Sequence, residues 1–225
     1  MSEKTEKKTA SFKVNGFLEK NRKAVLGTFI AVIAVLIIFL AVEIVLSTTS
    51  KKNLGKVETL YYELTTNASS LDEAAVTQKC TEYLEKLADY TTKGGIAGVR
   101  ANMIAADLAF MKKDYAAAVD FYDAAIAKGK KSYTAPICSF NKGVCYENLN
   151  KTDDAVAAYK YAAEFADFGM APHAYFSLGR ILESKGDYAG AVEAYKTLND
   201  KFAYDDWANL AKTRLITLQA EGKAE

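Results

Sequence analysis

Apolar residues follow two regimes along this chain. From Ala24 to Leu46 they run almost unbroken, with sixteen Val, Ile, Leu or Phe and one charge, Glu43. From Leu54 onward they recur every three or four residues, the spacing of one helix face. Within this second regime the phrase Ala-Val-x-x-Tyr occurs three times, ending at Tyr122, Tyr159 and Tyr195, at spacings of 37 and 36 residues. A fixed period of this size marks stacked helical hairpins, in which no unit can bury its own apolar face alone. The pattern predicts an all-α chain, with a membrane-length helix followed by a hairpin solenoid.

Each repeat reads as a helix A of small and apolar residues, a short turn, and a helix B that carries the phrase. Ala106, Gly143 and Gly179 on helix A, with Ala118, Ala155 and Ala191 on helix B, let two helix axes approach closely. Tyr122, Tyr159 and Tyr195 are expected to fill the space between neighbouring hairpins. Pro136 and Pro172 open the A helices of the second and third repeats, where proline is tolerated. The predicted boundaries are 99–132, 136–169 and 172–205. Upstream, 47–98 reads as a linker and a leading hairpin (Leu54 to Thr66, then Asp72 to Thr92), ended by Gly94-Gly95. Downstream, 206–225 reads as a capping helix with a frayed tail.

These residues resemble the tetratricopeptide repeat. The third unit matches best, with Leu178-Gly179, Gly186-Asp187-Tyr188, Ala191 and Tyr195; it departs at Leu198, where the first two units keep Ala125 and Ala162. The resemblance spans about residues 99–205 and implies a tetratricopeptide-type solenoid whose A helices line a protein-binding groove. Carried across unit by unit, that groove holds Arg100, Met103, Asp107, Phe110 and Met111, then Ile137, Phe140, Val144, Glu147 and Asn148, then His173, Phe176, Arg180 and Glu183. Phe and Met beside charges of both signs suit apolar segments of unfolded or helical partners. The alternative is that Phe110, Phe140 and Phe176 fill the core instead.

Charge changes the picture at one end only. Residues 1–23 carry seven Lys/Arg against three Glu, although the whole chain has a formal charge of +1. The remainder is mildly acidic, which argues against a nucleic-acid partner. The segment 24–46 is about 34 Å long as a helix, enough to cross a hydrocarbon core of about 30 Å. Its sixteen large apolar residues favour insertion by about 5–9 kcal/mol, more than the near-terminal Glu43 costs. A cleaved signal peptide is the rival reading, with Ser47-Thr48-Thr49-Ser50 offering small residues. The uncharged run of 19 residues exceeds the usual signal core of about 7–15. Lys13, Lys20, Arg22 and Lys23 before the segment outweigh Lys51, Lys52 and Lys56 beyond it. This orientation puts 1–23 in the cytoplasm and the repeats outside, periplasmic in a two-membrane cell.

The basic run Phe17 to Lys23 leading into one span and then repeats looks like the ancillary repeat subunit of the bacterial Sec translocon. That resemblance implies association with the SecYEG channel, a periplasmic chaperone or unfolded clients. No catalytic constellation is visible. His173 is the only histidine, and Gly94-Gly95-Ile96-Ala97-Gly98 lacks the Lys-Ser/Thr of a phosphate loop. Cys138 and Cys145 are seven residues apart on one predicted helix, about 10.5 Å along its axis and too far to bridge. Cys80 could pair across hairpins; burial as small hydrophobes is the better reading for all three. No cofactor, metal or small-molecule substrate is expected. The chain reads as a membrane-anchored protein-interaction scaffold aiding secretion, or as an adaptor that sequesters one fixed signalling or protease partner.

Overall fold

The computed structural model describes residues 20–66, 73–130 and 132–223, and every regular element among them is helical. In order these are α1 (Arg22–Thr66), α2 (Glu73–Thr91), α3 (Gly95–Met111), α4 (Tyr115–Lys128), α5 (Thr134–Asn148), α6 (Thr152–Glu164), α7 (Ala171–Lys185), α8 (Tyr188–Lys201) and α9 (Asp206–Ala220). The basic stretch 1–19 and Asp72, the expected start of the second leading helix, lie outside the described residues.

The chain divides into two units, residues 1–49 and 50–225. In the first, the apolar run is the one segment among the described residues long and apolar enough to cross a membrane. Its large side chains face outward, with Leu36 at 54% and Ile38 at 64% exposure. The expected linker after residue 46 is instead helical, because no Gly or Pro interrupts 47–54 and α1 runs on to Thr66. Within the second unit, Val57 and Leu64 of α1 join Cys80, Tyr83 and Leu87 of α2 and Ile104 and Leu108 of α3 in a first buried cluster.

Three turns inside the repeats share one geometry. Lys113, Asn150 and Gly186 adopt φ of 64°, 57° and 81°, at the repeat spacing. The next residue's N–H donates back to Ala109, Tyr146 and Leu182 respectively, which closes the end of each A helix in Schellman fashion. Asp114 and Asp187 then cap α4 and α8, accepting from Ala117 and Gly190 at 3.1 and 3.0 Å. Lys151, which has no side-chain acceptor, takes that place before α6. The first A helix begins at Gly95 rather than 99, so the predicted terminator Gly95 is the first helical residue. Gly98 permits this tight entry, since a Cβ there would lie 1.8 Å from the Lys93 carbonyl oxygen.

The core follows the small-residue pattern. Ala106, Ala118, Ala155 and Ala191 are fully buried, and so is Leu198, which occupies the place of Ala125 and Ala162. The phrase tyrosines correct the sequence expectation in the second and third repeats, where Tyr159 and Tyr195 pack inside their own hairpins; Tyr122 also faces the next hairpin, lining a cavity with Asn141 and Val144. A Cβ at Gly143 would sit 2.7 Å from the Tyr159 ring, and one at Gly179 would sit 2.3 Å from the Tyr195 ring. The missing side chain on helix A is the slot that the aromatic of helix B fills. All three cysteines are free and buried. Burial pushes the thiol pKa of Cys138 up to about 12 and that of Cys145 up to about 11, so neither is a thiolate at neutral pH.

Candidate functional site

The A helices α3, α5 and α7 carry all fourteen residues expected in the groove, and the structure sorts them into three environments.

The first is open. Arg100, Met103 and Ile137 line a cavity of about 400 Å³ with Leu54, Glu58, Ile96, Val99, Tyr133 and Thr134. Arg100 Nε donates to Glu58 at 2.7 Å and the guanidinium lies over the Tyr61 ring. Asp107, Phe110, Met111 and Val144 line a second cavity of about 230 Å³ with Tyr122 and Asn141. A third, of about 160 Å³ and bounded mainly by apolar side chains, lies among Tyr61, Leu64, Val76, Cys80, Ile104 and Leu108, and shares Asp107 and Met111 with the second. The Asp107 carboxylate accepts from the Tyr122 hydroxyl at 2.6 Å. The residue is exposed to solvent, with neighbouring protein crowding its carboxylate. Burial raises its pKa, against the opposing effects of the Tyr122 bond and the charge of Arg100.

The second environment is a ladder of ion pairs between successive layers. Glu147 accepts from Tyr159 of its own hairpin and from Arg180 Nη2 of the next A helix at 2.5 Å. Glu183 likewise accepts from Tyr195, at 2.7 Å, and from Arg214 of α9. Burial raises the Glu183 pKa, but the bonds from Arg214 and Tyr195 outweigh it and leave the carboxyl below the ordinary glutamate range. Arg180 is half exposed, so its pair adds only about 0.2–1 kcal/mol. Asn148 is exposed, its amide donating to the Val144 carbonyl at 2.9 Å.

The third environment is filled. Phe140 is only 6% exposed and packs on Tyr159, with ring centroids 5.4 Å apart. His173 stacks on Trp207 of the capping helix at 3.9 Å, nearly parallel, and contacts Phe140 at 4.6 Å. Phe176 meets Trp207 at 5.1 Å and Tyr195 at 5.7 Å. Phe140, His173 and Phe176 therefore belong to the packing beneath α9. Phe110 lies between the two cases, lining the open cavity while its ring meets Tyr115 edge-on at 5.2 Å.

Sequence reasoning missed Glu58, Tyr61, Asn141, Tyr133 and the plug formed by Trp207 and Arg214. The repeat period does not mark α1 or α9 as groove elements, so it left Glu58, Tyr61, Trp207 and Arg214 out; Asn141 and Tyr133, on or beside α5, carried no signal of their own. Among the described residues, no three His, Cys, Asp or Glu side chains are gathered as metal ligands would be. The open part offers recesses lined mostly by apolar side chains, two of which share the Asp107 carboxylate.

The tetratricopeptide repeat family profile matches residues 82–133 and 140–206, just over half of the chain. A curated relative, a TPR repeat-containing protein of Treponema pallidum (strain Nichols), is 32% identical over 139 residues. The match covers 62% of this chain and 58% of that relative's length. Among solved structures, apo RapI superposes with a TM-score of 0.53 at 16% identity, over 72% of this chain and 46% of RapI. A Podosopora anserina protein, described as a kinesin light chain with nearly identical TPR-like repeats, superposes with a TM-score of 0.56 at 10% identity. That superposition covers 77% of this chain and 89% of the other. At these identities both solved structures share the fold alone.

Proposed function

The chain belongs to the tetratricopeptide-repeat family, a protein-interaction scaffold, and we propose that it works anchored in the cytoplasmic membrane beside the protein-secretion channel. In this reading residues 24–46 span the bilayer, 1–23 stay in the cytoplasm, and the repeats hold emerging chains or a chaperone on the far side. The observation that carries the reading is the exposed apolar run of α1 ahead of the repeats. Sixteen large apolar side chains with no protein cover need a lipid environment, and Leu36, Ile37 and Ile38 are each more than half exposed. The uncharged run of 19 residues, longer than a signal core of about 7–15, favours a retained span over a cleaved signal. Cleavage at Ser47-Thr48-Thr49-Ser50 would cut inside α1, whose last turns bring Val57 and Leu64 to the core.

The binding role rests on the open cavities around Met103, Met111 and Ile137, not on the aromatics beneath α9. Photo-crosslinking residues at Met111 and Ile137 in living cells test this directly. Many secreted chains together with channel subunits among the adducts support the secretion role. One stoichiometric partner would favour the sequestering adaptor, and no adduct from either position would overturn the secretion role.

A further inference from the structure

In two of the three repeats, the phrase tyrosine, a carboxylate and an arginine from the next layer form a closed triad. Tyr159, Glu147 and Arg180 make one; Tyr195, Glu183 and Arg214 make the other. The first repeat also pairs its tyrosine with an acid, Tyr122 with Asp107 at 2.6 Å, although this acid stands three residues before the Glu147 position, which Phe110 fills. It has no arginine to complete them. The α5 position that matches Arg180, 36 residues earlier, is Val144, which lines the same cavity as Asp107. Arg100, whose charge reaches Asp107, gives its hydrogen bonds to Glu58 through both Nε and Nη2.

We propose that the cavity between α3 and α5 takes a basic side chain of a partner polypeptide, flanked by apolar residues, in the place that arginine fills in the later repeats. The walls suit such a segment. Met111 is half exposed and adaptable, and Phe110 offers a ring for an alkyl stem or a guanidinium face. Charge decides between occupants. An acidic segment would bring like charge onto Asp107, where Arg100 is engaged by Glu58 and Lys79 lines only the adjoining recess. A wholly apolar segment would seal a carboxylate away from water with no counter-charge, which costs more than apolar contact returns. A cation flanked by apolar residues satisfies both the acid and the walls.

This inference rests on the inner face being the protein-binding face, and its test is separate from the crosslinking above. The full chain in nanodiscs is titrated against a dye-labelled synthetic peptide with one arginine between leucines, and against the same peptide with citrulline there. Empty nanodiscs correct for lipid binding. The arginine peptide should bind about tenfold or more tightly than its neutral twin. Asp107→Asn should remove that preference. Val144→Arg supplies the missing cation from within and should do the same, so it decides the matter if Asp107→Asn misfolds by circular dichroism. Equal binding of the two peptides to the wild type, or a preference untouched by the variants, overturns the proposal. A clear preference without cellular adducts would remove the secretion role and keep this site. Secretory adducts with no preference would do the reverse.

Discussion

Gly179 and Tyr195 lie so close that a Cβ on the glycine would fall 2.3 Å from the tyrosine ring. Alanine in an open helix is worth about 1 kcal/mol over glycine, so any loss on adding a methyl here must come from the clash. Overpacking of this kind costs about 1–3 kcal/mol. Gly179→Ala is expected to lower stability in a denaturant melt of the repeats, and Gly143→Ala, at 2.7 Å from Tyr159, to lower it less. A stabilised Gly179→Ala would mean the ring is free to move away.

Glu183 links α7, α8 and α9 through Tyr195 and Arg214. Its carboxyl titrates below the ordinary range in the folded protein, so the stabilisation it gives is complete above that range and is lost as pH falls through the folded pKa. Glu183→Gln should cost about 1 kcal/mol at neutral pH, the arginine being partly solvated. The wild-type and variant stability curves should converge in acid. Parallel curves down to low pH would show that the pair contributes nothing.

Trp207 is the sole tryptophan and stacks on the sole histidine at 3.9 Å, which makes its fluorescence a reporter of α9. Burial, then the charge of Arg180, lowers the His173 pKa, so the imidazole is neutral at pH 7. Fluorescence should change on acidification, with a midpoint below the ordinary histidine value. The folded state binds this proton less readily than the unfolded chain, so stability should fall over the same range. His173→Gln should abolish the fluorescence transition; a transition that persists in that variant would assign it to another group.

Trp207→Ala should cost about 3 kcal/mol, the lower end for a large aromatic because the ring is only partly covered. It should also expose Phe176 and admit a crosslinker at Phe140 that the wild type excludes. Unchanged accessibility at Phe140 would show that Tyr159 and His173 cover it without help from α9.

The membrane assignment has a graded test. One arginine in mid-span costs about 3 kcal/mol, less than the about 5–9 kcal/mol that the apolar residues supply, so Leu36→Arg should still resist alkaline extraction. The pair Ile33→Arg with Ile37→Arg removes about 6–8 kcal/mol and should release the protein. A mature N-terminus beyond Leu46, found by mass spectrometry, would instead identify a cleaved signal.

What the sequence determined on its own is what local periodicity encodes. The Ala-Val-x-x-Tyr phrases and the small residues at Ala106, Gly143 and Gly179 recur at one period. Each lies within a single hairpin, where residues a few turns apart are bound to meet. The apolar run of α1 was equally legible, because bilayer length is counted along the chain. Tertiary structure decided the rest. It brought Trp207 onto His173 and Phe176, 31 or more residues away in the chain, and so filled the half of the groove that carried the most aromatics. It turned Tyr159 and Tyr195 inward, onto their own hairpins. It set Asp107 beside Val144, where the later layers place an arginine. Such pairings depend on how one layer docks on the next, and helix period alone does not carry that offset.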